Sequence, residues 1–236
     1  RSLVDVTLGV LLAAGASPLV AEGTGRVRVG EATVIAAFSI LNGLVGTVIG
    51  TDEATLSERR AVGRFAEGRA AALVASSIHL PFVLDESVVG PFVAFGPIPR
   101  IEPDAAPGRP LLETWYLGVS RYAADREAAT ALARFLIDPA VQARAAVDHG
   151  LPPSAVPAWS DPEVIAAPPW MARLEEMIAD GVAAPVAWFG AGWLLASEEV
   201  AGSLRTMLGG GRTAEETAAL LQKELTRIRR GVERNR

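Results

Sequence analysis

Two Asp-Pro pairs, Asp138-Pro139 and Asp161-Pro162, constrain this chain more than any other feature. An aspartate before a helix accepts hydrogen bonds from the unpaired N–H groups of the first turn, and proline fits the first helical position because its missing N–H would have no partner there. Asp125 offers a third cap, for a helix carrying Ala129, Leu132, Phe135 and Leu136 on one face. His149-Gly150 closes the next helix, and the three prolines between Leu151 and Ala158 mark a loop. Asp161-Pro162 leads toward a helix over Trp170 to Ala179, and another runs from about Trp193 to Leu208 before Gly209-Gly210-Gly211 stops it. Thr213 and Glu216 have capping-box spacing for the last helix, with Leu220, Leu221, Leu225 and Ile228 as its buried positions. The basic stretch from Arg227 to Arg236 is expected to fray.

The first half mixes helix and strand signals. Val34, Ala37, Phe38, Leu41, Leu44 and Val45 recur at helical spacing and loosen at Gly46 and Gly50. The run Ala32 to Thr51 is too diluted by Ser39, Asn42 and four residues of Gly and Thr to read as a membrane span. Leu8 to Ala21 resembles a signal-peptide core and cleavage site, but Asp5 lies where positive charge belongs, and Gly15 to Pro18 reads equally as a helix stop and turn. Asp52 to Ser57 offers an acidic, cap-rich restart, and Gly68 ends the helix that follows. Ala70 to Val74, Val93 to Ile98 and Tyr116 to Val119 are the strand candidates, the last two separated by a proline- and glycine-rich loop over 99–110.

Composition narrows function by exclusion. Half of the 236 residues are hydrophobic, which supports a buried core in one large or two small domains. A net charge of −5 removes the electrostatic footprint of nucleic-acid binding. With no cysteine there is no disulfide, thiolate metal site or cysteine nucleophile. The two histidines, His79 and His149, lack an i, i+4 partner, so no metal or cofactor is expected. No Gly-x-Ser-x-Gly turn, phosphate loop or dinucleotide fingerprint occurs. A hydrolase reading survives only through Ser76 and Ser77 with His79, and the expectation is a protein that is not an enzyme.

The aromatic residues carry the positive signal. All five tryptophans, Trp115, Trp159, Trp170, Trp188 and Trp193, fall in the second half. Trp159 and Trp170 read as core. Trp115 and Tyr116 follow a flexible loop, while Trp188 and Trp193 flank the glycine-rich Phe189-Gly190-Ala191-Gly192. An indole face covering about 100 Å² of a sugar ring contributes about 2.5 kcal/mol, so two faces with a few hydrogen bonds support micromolar binding.

Four stretches, in order, carry a family resemblance. Phe65-Ala66-Glu67-Gly68-Arg69-Ala70-Ala71-Ala72-Leu73 leads to Ser76-Ser77; Leu117 to Ala129, beginning Leu-Gly-Val-Ser-Arg-Tyr, continues through Phe135-Leu136 and Asp138-Pro139. Gly150-Leu151-Pro152-Pro153 and then Leu208-Gly209 through Thr213-Ala214-Glu215-Glu216 complete the set. Their order is similar to the second half of extracellular solute-binding proteins of the ABC-transporter carbohydrate class, the maltose-binding-protein relatives. The resemblance implies an α/β fold of the periplasmic-binding-protein-like type II, mostly the C-terminal lobe with a segment of the N-terminal lobe. Residues 1–112 and 165–236 would build the C-terminal lobe and 117–163 would belong to the other. It further implies a fragment whose relatives carry a preceding segment with an export signal and often a lipid-modified cysteine, making the only membrane link an N-terminal anchor.

On this resemblance the chain binds a small solute, most simply a mono- or oligosaccharide, in an interlobe cleft. It passes the solute to the permease subunits of an ABC importer, outside the cytoplasm. Ser76, Ser77 and His79 would hydrogen-bond the ligand, and Trp115, Tyr116, Trp188 and Trp193 would form its apolar walls. Ile78-His79 and Thr114-Trp115 depart from the family pattern, which leaves open a non-sugar ligand such as a polyamine, an organic anion or a metal chelate. Glu113 is a further candidate for hydroxyls.

Overall fold

A computed structural model describes residues 2–17, 19–21, 23–51, 56–99, 108–113 and 116–234. In chain order its elements are α1 (Ser2–Ala13), α2 (Ala32–Leu44), α3 (Glu58–Ala66), β1 (Leu111–Leu112), α4 (Arg126–Ile137), α5 (Pro139–His149), α6 (Pro162–Ile165), α7 (Pro169–Ala179), β2 (Val182–Ala183), α8 (Val186–Phe189), α9 (Trp193–Leu208) and α10 (Ala214–Arg234). Single 3-10 turns at 77–79, 90–92, 156–160 and 190–192 and one π turn at 82–86 connect them.

The punctuation legible in the sequence is what ends and starts these helices. The Asp125 carboxylate accepts from the Ala128 N–H at 2.8 Å, Asp138 from Ala140 N–H at 2.9 Å, and Asp161 from Glu163 N–H at 2.9 Å. Thr213 and Glu216 close a reciprocal capping box, with Thr213 N–H donating to the Glu216 carboxylate at 2.9 Å and Glu216 N–H to the Thr213 hydroxyl at 3.2 Å. Gly150, at φ 61°, supplies the left-handed C-cap of α5.

The main core forms where α1, α2, α9 and α10 bring their apolar stripes together. Leu8 and Leu11 of α1, Phe38 of α2, Phe189 of α8, Leu204 and Met207 of α9, and Leu221 and Leu225 of α10 are all fully buried in one cluster. Each such side chain contributes about 1.5–3 kcal/mol over an exposed position. The side-chain amide of Gln222 fastens the 27–30 segment onto α10, accepting from Gly30 N–H at 3.0 Å and donating to the Val27 carbonyl at 3.1 Å.

A second, smaller cluster gathers Ala143 and Ala146 of α5, Ala158, Val164 of α6 and Met171 of α7, with Trp159 and Trp170 half-buried against it. Gln142 organises the proline-rich loop here, its carbonyl oxygen accepting from Ser154 N–H at 2.9 Å and Ala155 N–H at 2.8 Å. The two tryptophans read as core therefore do pack as core.

Several expectations change. None of 70–74, 93–98 or 116–119 is a strand; all three run as irregular backbone, and Tyr116 to Val119 is exposed. A strand needs a neighbour for its ladder, and the one sheet among the described residues is the parallel pair β1–β2, Leu111 opposite Val182 and Leu112 opposite Ala183. Short apolar runs do not say where that neighbour lies. Where fraying was expected, α10 runs on through Arg234, with an Arg229–Glu233 ion pair at 2.8 Å along it. Leu220 is half-buried, since it precedes Leu221 by one helical step and sits at the edge of the apolar stripe. Within the Leu8 to Ala21 run, Leu8 to Ala13 is the second half of α1, with Leu8 and Leu11 inside the main cluster and Ala13 buried beside it, and Gly15 at φ 73° follows its end. Of the expected restart over 52–57, residues 52–55 lie outside the described residues. Ser57 precedes α3 without capping it through its side chain. Among the described residues no helix is long and apolar enough to cross a membrane.

Candidate functional site

Of the seven residues singled out from the sequence, the six that are described fall into separate places. Ser76, Ser77 and His79 lie at the 3-10 turn that follows the irregular 70–76 segment. Here Glu58, at the start of α3, does the organising: its carboxylate accepts from the Ser76 backbone N–H at 2.7 Å and lies 3.6 Å from His79 Nε2. Ser76 is exposed, while Ser77 and His79 are half-buried. The polar contact at Ser76 is made by its backbone, and the imidazole faces a carboxylate, which is an arrangement for holding a turn or a ligand hydroxyl.

Trp188 and Trp193 stand on either side of the buried Phe189. Trp193 is half-buried against the main core, its ring 5.9 Å from that of Phe189 at an interplanar angle of 46°. Trp188 is 37% exposed and rests on Gly25, where an added Cβ would collide with the indole. Gly25 holds φ 61°, a left-handed conformation that suits glycine, and Arg229 donates to its carbonyl and to that of Thr24 at 3.0 Å. The Arg229 guanidinium carbon lies 5.9 Å from the centre of the Trp188 ring, within cation–π reach. One side of this indole is thus braced by backbone and guanidinium. Tyr116 is 88% exposed, Glu113 is exposed, and Trp115 lies outside the described residues.

Two concavities lie beside α10, neither lined by any of the six described residues themselves, although Arg229 belongs both to the second and to the brace of Trp188. One, of about 530 Å³, is formed by Ser39, Asn42 and Gly43 at the end of α2 and by the 210–216 turn before α10. The other, of about 610 Å³, lies between the 26–31 segment and the C-terminal half of α10. Among the described residues no group of three or more acidic or histidine side chains is placed to hold a metal ion.

Sequence reasoning missed Glu58, Gly25 and Arg229. Glu58 directly follows Ser57 in the first turn of α3, and nothing local to it signals the contact with residues 76 and 79. Gly25 was visible in Gly23-Thr24-Gly25, but its contact with Trp188 joins positions more than 160 residues apart.

No family model matches the sequence, and no curated protein does. Solved structures do. Maltose-bound MalE3 of T. maritima superimposes with a TM-score of 0.81 at 22% identity, over 95% of this chain and 57% of that one. The GacH receptor of Streptomyces glaucescens GLA.O, studied unliganded and with acarbose, matches with a TM-score of 0.81 at 17% identity, over 97% of this chain and 57% of that one. The fold is that of the type II periplasmic binding proteins. A chitin oligosaccharide binding protein gives a TM-score of 0.67 at 19% identity, over 96% of this chain and 57% of its own. The chain therefore spans a little over half the length of the type II structures it matches, and it is mostly helical.

Proposed function

We propose that this chain is the larger part of a solute-binding receptor that takes a mono- or oligosaccharide and presents it to the permease of an ABC importer outside the cytoplasm. The observation that carries the reading is the superposition of nearly the whole chain on maltose- and acarbose-binding receptors with a TM-score of 0.81. Such a protein makes and breaks no bond; affinity comes from burying the ligand between two lobes that close on it.

On this reading 1–112 and 165–236 form one lobe and 117–163 goes with the other. In support, the main core draws its fully buried side chains from 4–38 and 189–225, whereas α4 and the segment before it leave Tyr116, Leu117, Leu132, Phe135, Leu136 and Ile137 uncovered. That apolar face is where the rest of a two-lobed body packs. Trp188 and Trp193 act as stacking walls with Trp115 and Tyr116, and Ser76, Ser77 and His79 hydrogen-bond sugar hydroxyls.

Titrating maltose, longer maltodextrins and chitin oligosaccharides into the intact protein while following tryptophan emission tests this. Saturable changes at micromolar ligand are expected, and they shrink in W188A and W193A. A folded protein whose emission and titration heat stay flat across the panel excludes the sugar reading.

A further inference from the structure

The 610 Å³ concavity between the 26–31 segment and α10 is unlike the rest of the chain in charge. Residues 26–31 and 222–234 hold seven basic and three acidic side chains, in a protein whose net charge is −5. Four arginines line the concavity itself: Arg26 and Arg28 from the loop, Arg229 and Arg230 from α10. Two of them are already neutralised. Arg28 is paired with Glu31, and Arg229 with Glu233 at 2.8 Å while also donating to the Thr24 and Gly25 carbonyls. Arg26 and Arg230 are exposed, and among the described residues neither guanidinium has an ion partner.

The walls that carry these charges are fixed. Gln222 ties the Val27 carbonyl and the Gly30 N–H to α10, and Arg229 ties the turn at 24–25 to the same helix. The loop and the helix therefore face one another without having to be ordered by a ligand, which lowers the entropic cost of binding. Guanidinium groups present planar forks of N–H donors that match the oxygens of phosphate and carboxylate. Two uncompensated guanidinium charges in one concavity match a doubly charged anion.

We propose that this concavity is a binding site for a phosphate dianion, free or as a phosphate monoester, held chiefly by Arg26 and Arg230. It is independent of the sugar reading, because neither arginine is among the proposed sugar contacts, and either conclusion can fail while the other stands. A free phosphate and a phospholipid headgroup share this chemistry, and the test separates them.

Inorganic phosphate is titrated calorimetrically into the intact protein at about pH 7.5, where phosphate is largely dianionic, with ionic strength held constant by sodium chloride. Saturable one-site binding is expected, weakened about tenfold in R26Q/R230Q and strengthened in E31Q, which frees Arg28. Circular dichroism establishes that each variant is folded. In a second arm, vesicles of phosphatidic acid in phosphatidylcholine are sedimented with the protein. Retention that depends on Arg26 and Arg230 and exceeds that on pure phosphatidylcholine assigns the site to a headgroup; retention no greater than on phosphatidylcholine, with phosphate binding intact, assigns it to a free ligand. Heats that follow ionic strength alone, or equal binding by R26Q/R230Q in both arms, overturn the site.

Discussion

Helices α2 and α4 carry apolar residues at the same helical spacing, yet they end in opposite environments. On α2, Val34, Ala37, Phe38 and Leu41 are all buried against α1, α9 and α10. On α4 no residue is buried, and Leu132 and Phe135 are 59% and 57% exposed. Both helices start where the sequence says, and α4 has the better cap, since Asp125 accepts a hydrogen bond while Glu31 makes none through its side chain. Local signals thus define a helix and its apolar face, and they are silent on whether anything covers that face. In the proposed reading the cover for α4 is the remainder of the lobe to which 117–163 belongs.

The largest expected contrast is in the two phenylalanines. Phe38→Ala should cost about 3–5 kcal/mol, because it opens a cavity in a close-packed cluster. Phe135→Ala should cost less than about 1 kcal/mol in the same chain, as an exposed ring has little burial to lose. Urea unfolding of both variants measures the difference, and equal losses would mean that α4 is covered after all.

Gly25→Ala comes next. The left-handed backbone alone adds about 1–2 kcal/mol, and the new methyl displaces the Trp188 indole from its seat. A lower urea midpoint with a shifted tryptophan emission is expected; an unchanged emission would detach Trp188 from the 23–25 turn.

The helix caps sharpen the comparison further. Thr213→Ala and Asp138→Ala each remove a side-chain cap worth about 1 kcal/mol. Amide exchange should register the first as faster global opening of the main core, and the second as fraying confined to α5 and the 151–155 loop that Gln142 holds. Global opening from Asp138→Ala would show that the smaller cluster unfolds together with the main one.

The smallest effect belongs to L132S/F135S, which should change stability by no more than about 0.5 kcal/mol while reducing self-association in sedimentation. An exposed apolar face invites contact between copies, and removing it is felt in solubility before stability. A large loss of stability would place a partner on that face.

Caps, stops and apolar stripes were readable because each depends on residues within four positions of one another. Asp125, Asp138-Pro139, Thr213…Glu216 and the 193–208 helix are of this kind. The three strand candidates failed because pairing depends on a neighbour at any sequence distance: β1 and β2, 70 residues apart, pair at dipeptides with no alternation to mark them. The candidate residues stood out in the sequence by type, and their placement did not. Trp188 stood out by its glycine-rich surroundings, but its brace joins Gly25 from near the start of the sequence to Arg229 on α10.

The amino-acid order by itself determined where helices begin and end and which of their faces are apolar, because short-range hydrogen bonding and the 3.6-residue period require nothing from distant residues. The tertiary structure alone decided which apolar faces are buried, and that Glu58 would meet both Ser76 and His79. It also decided that loop and C-terminal arginines would face one concavity. Those outcomes follow from chain segments meeting in space, where burial and charge pairing are settled by what stands opposite.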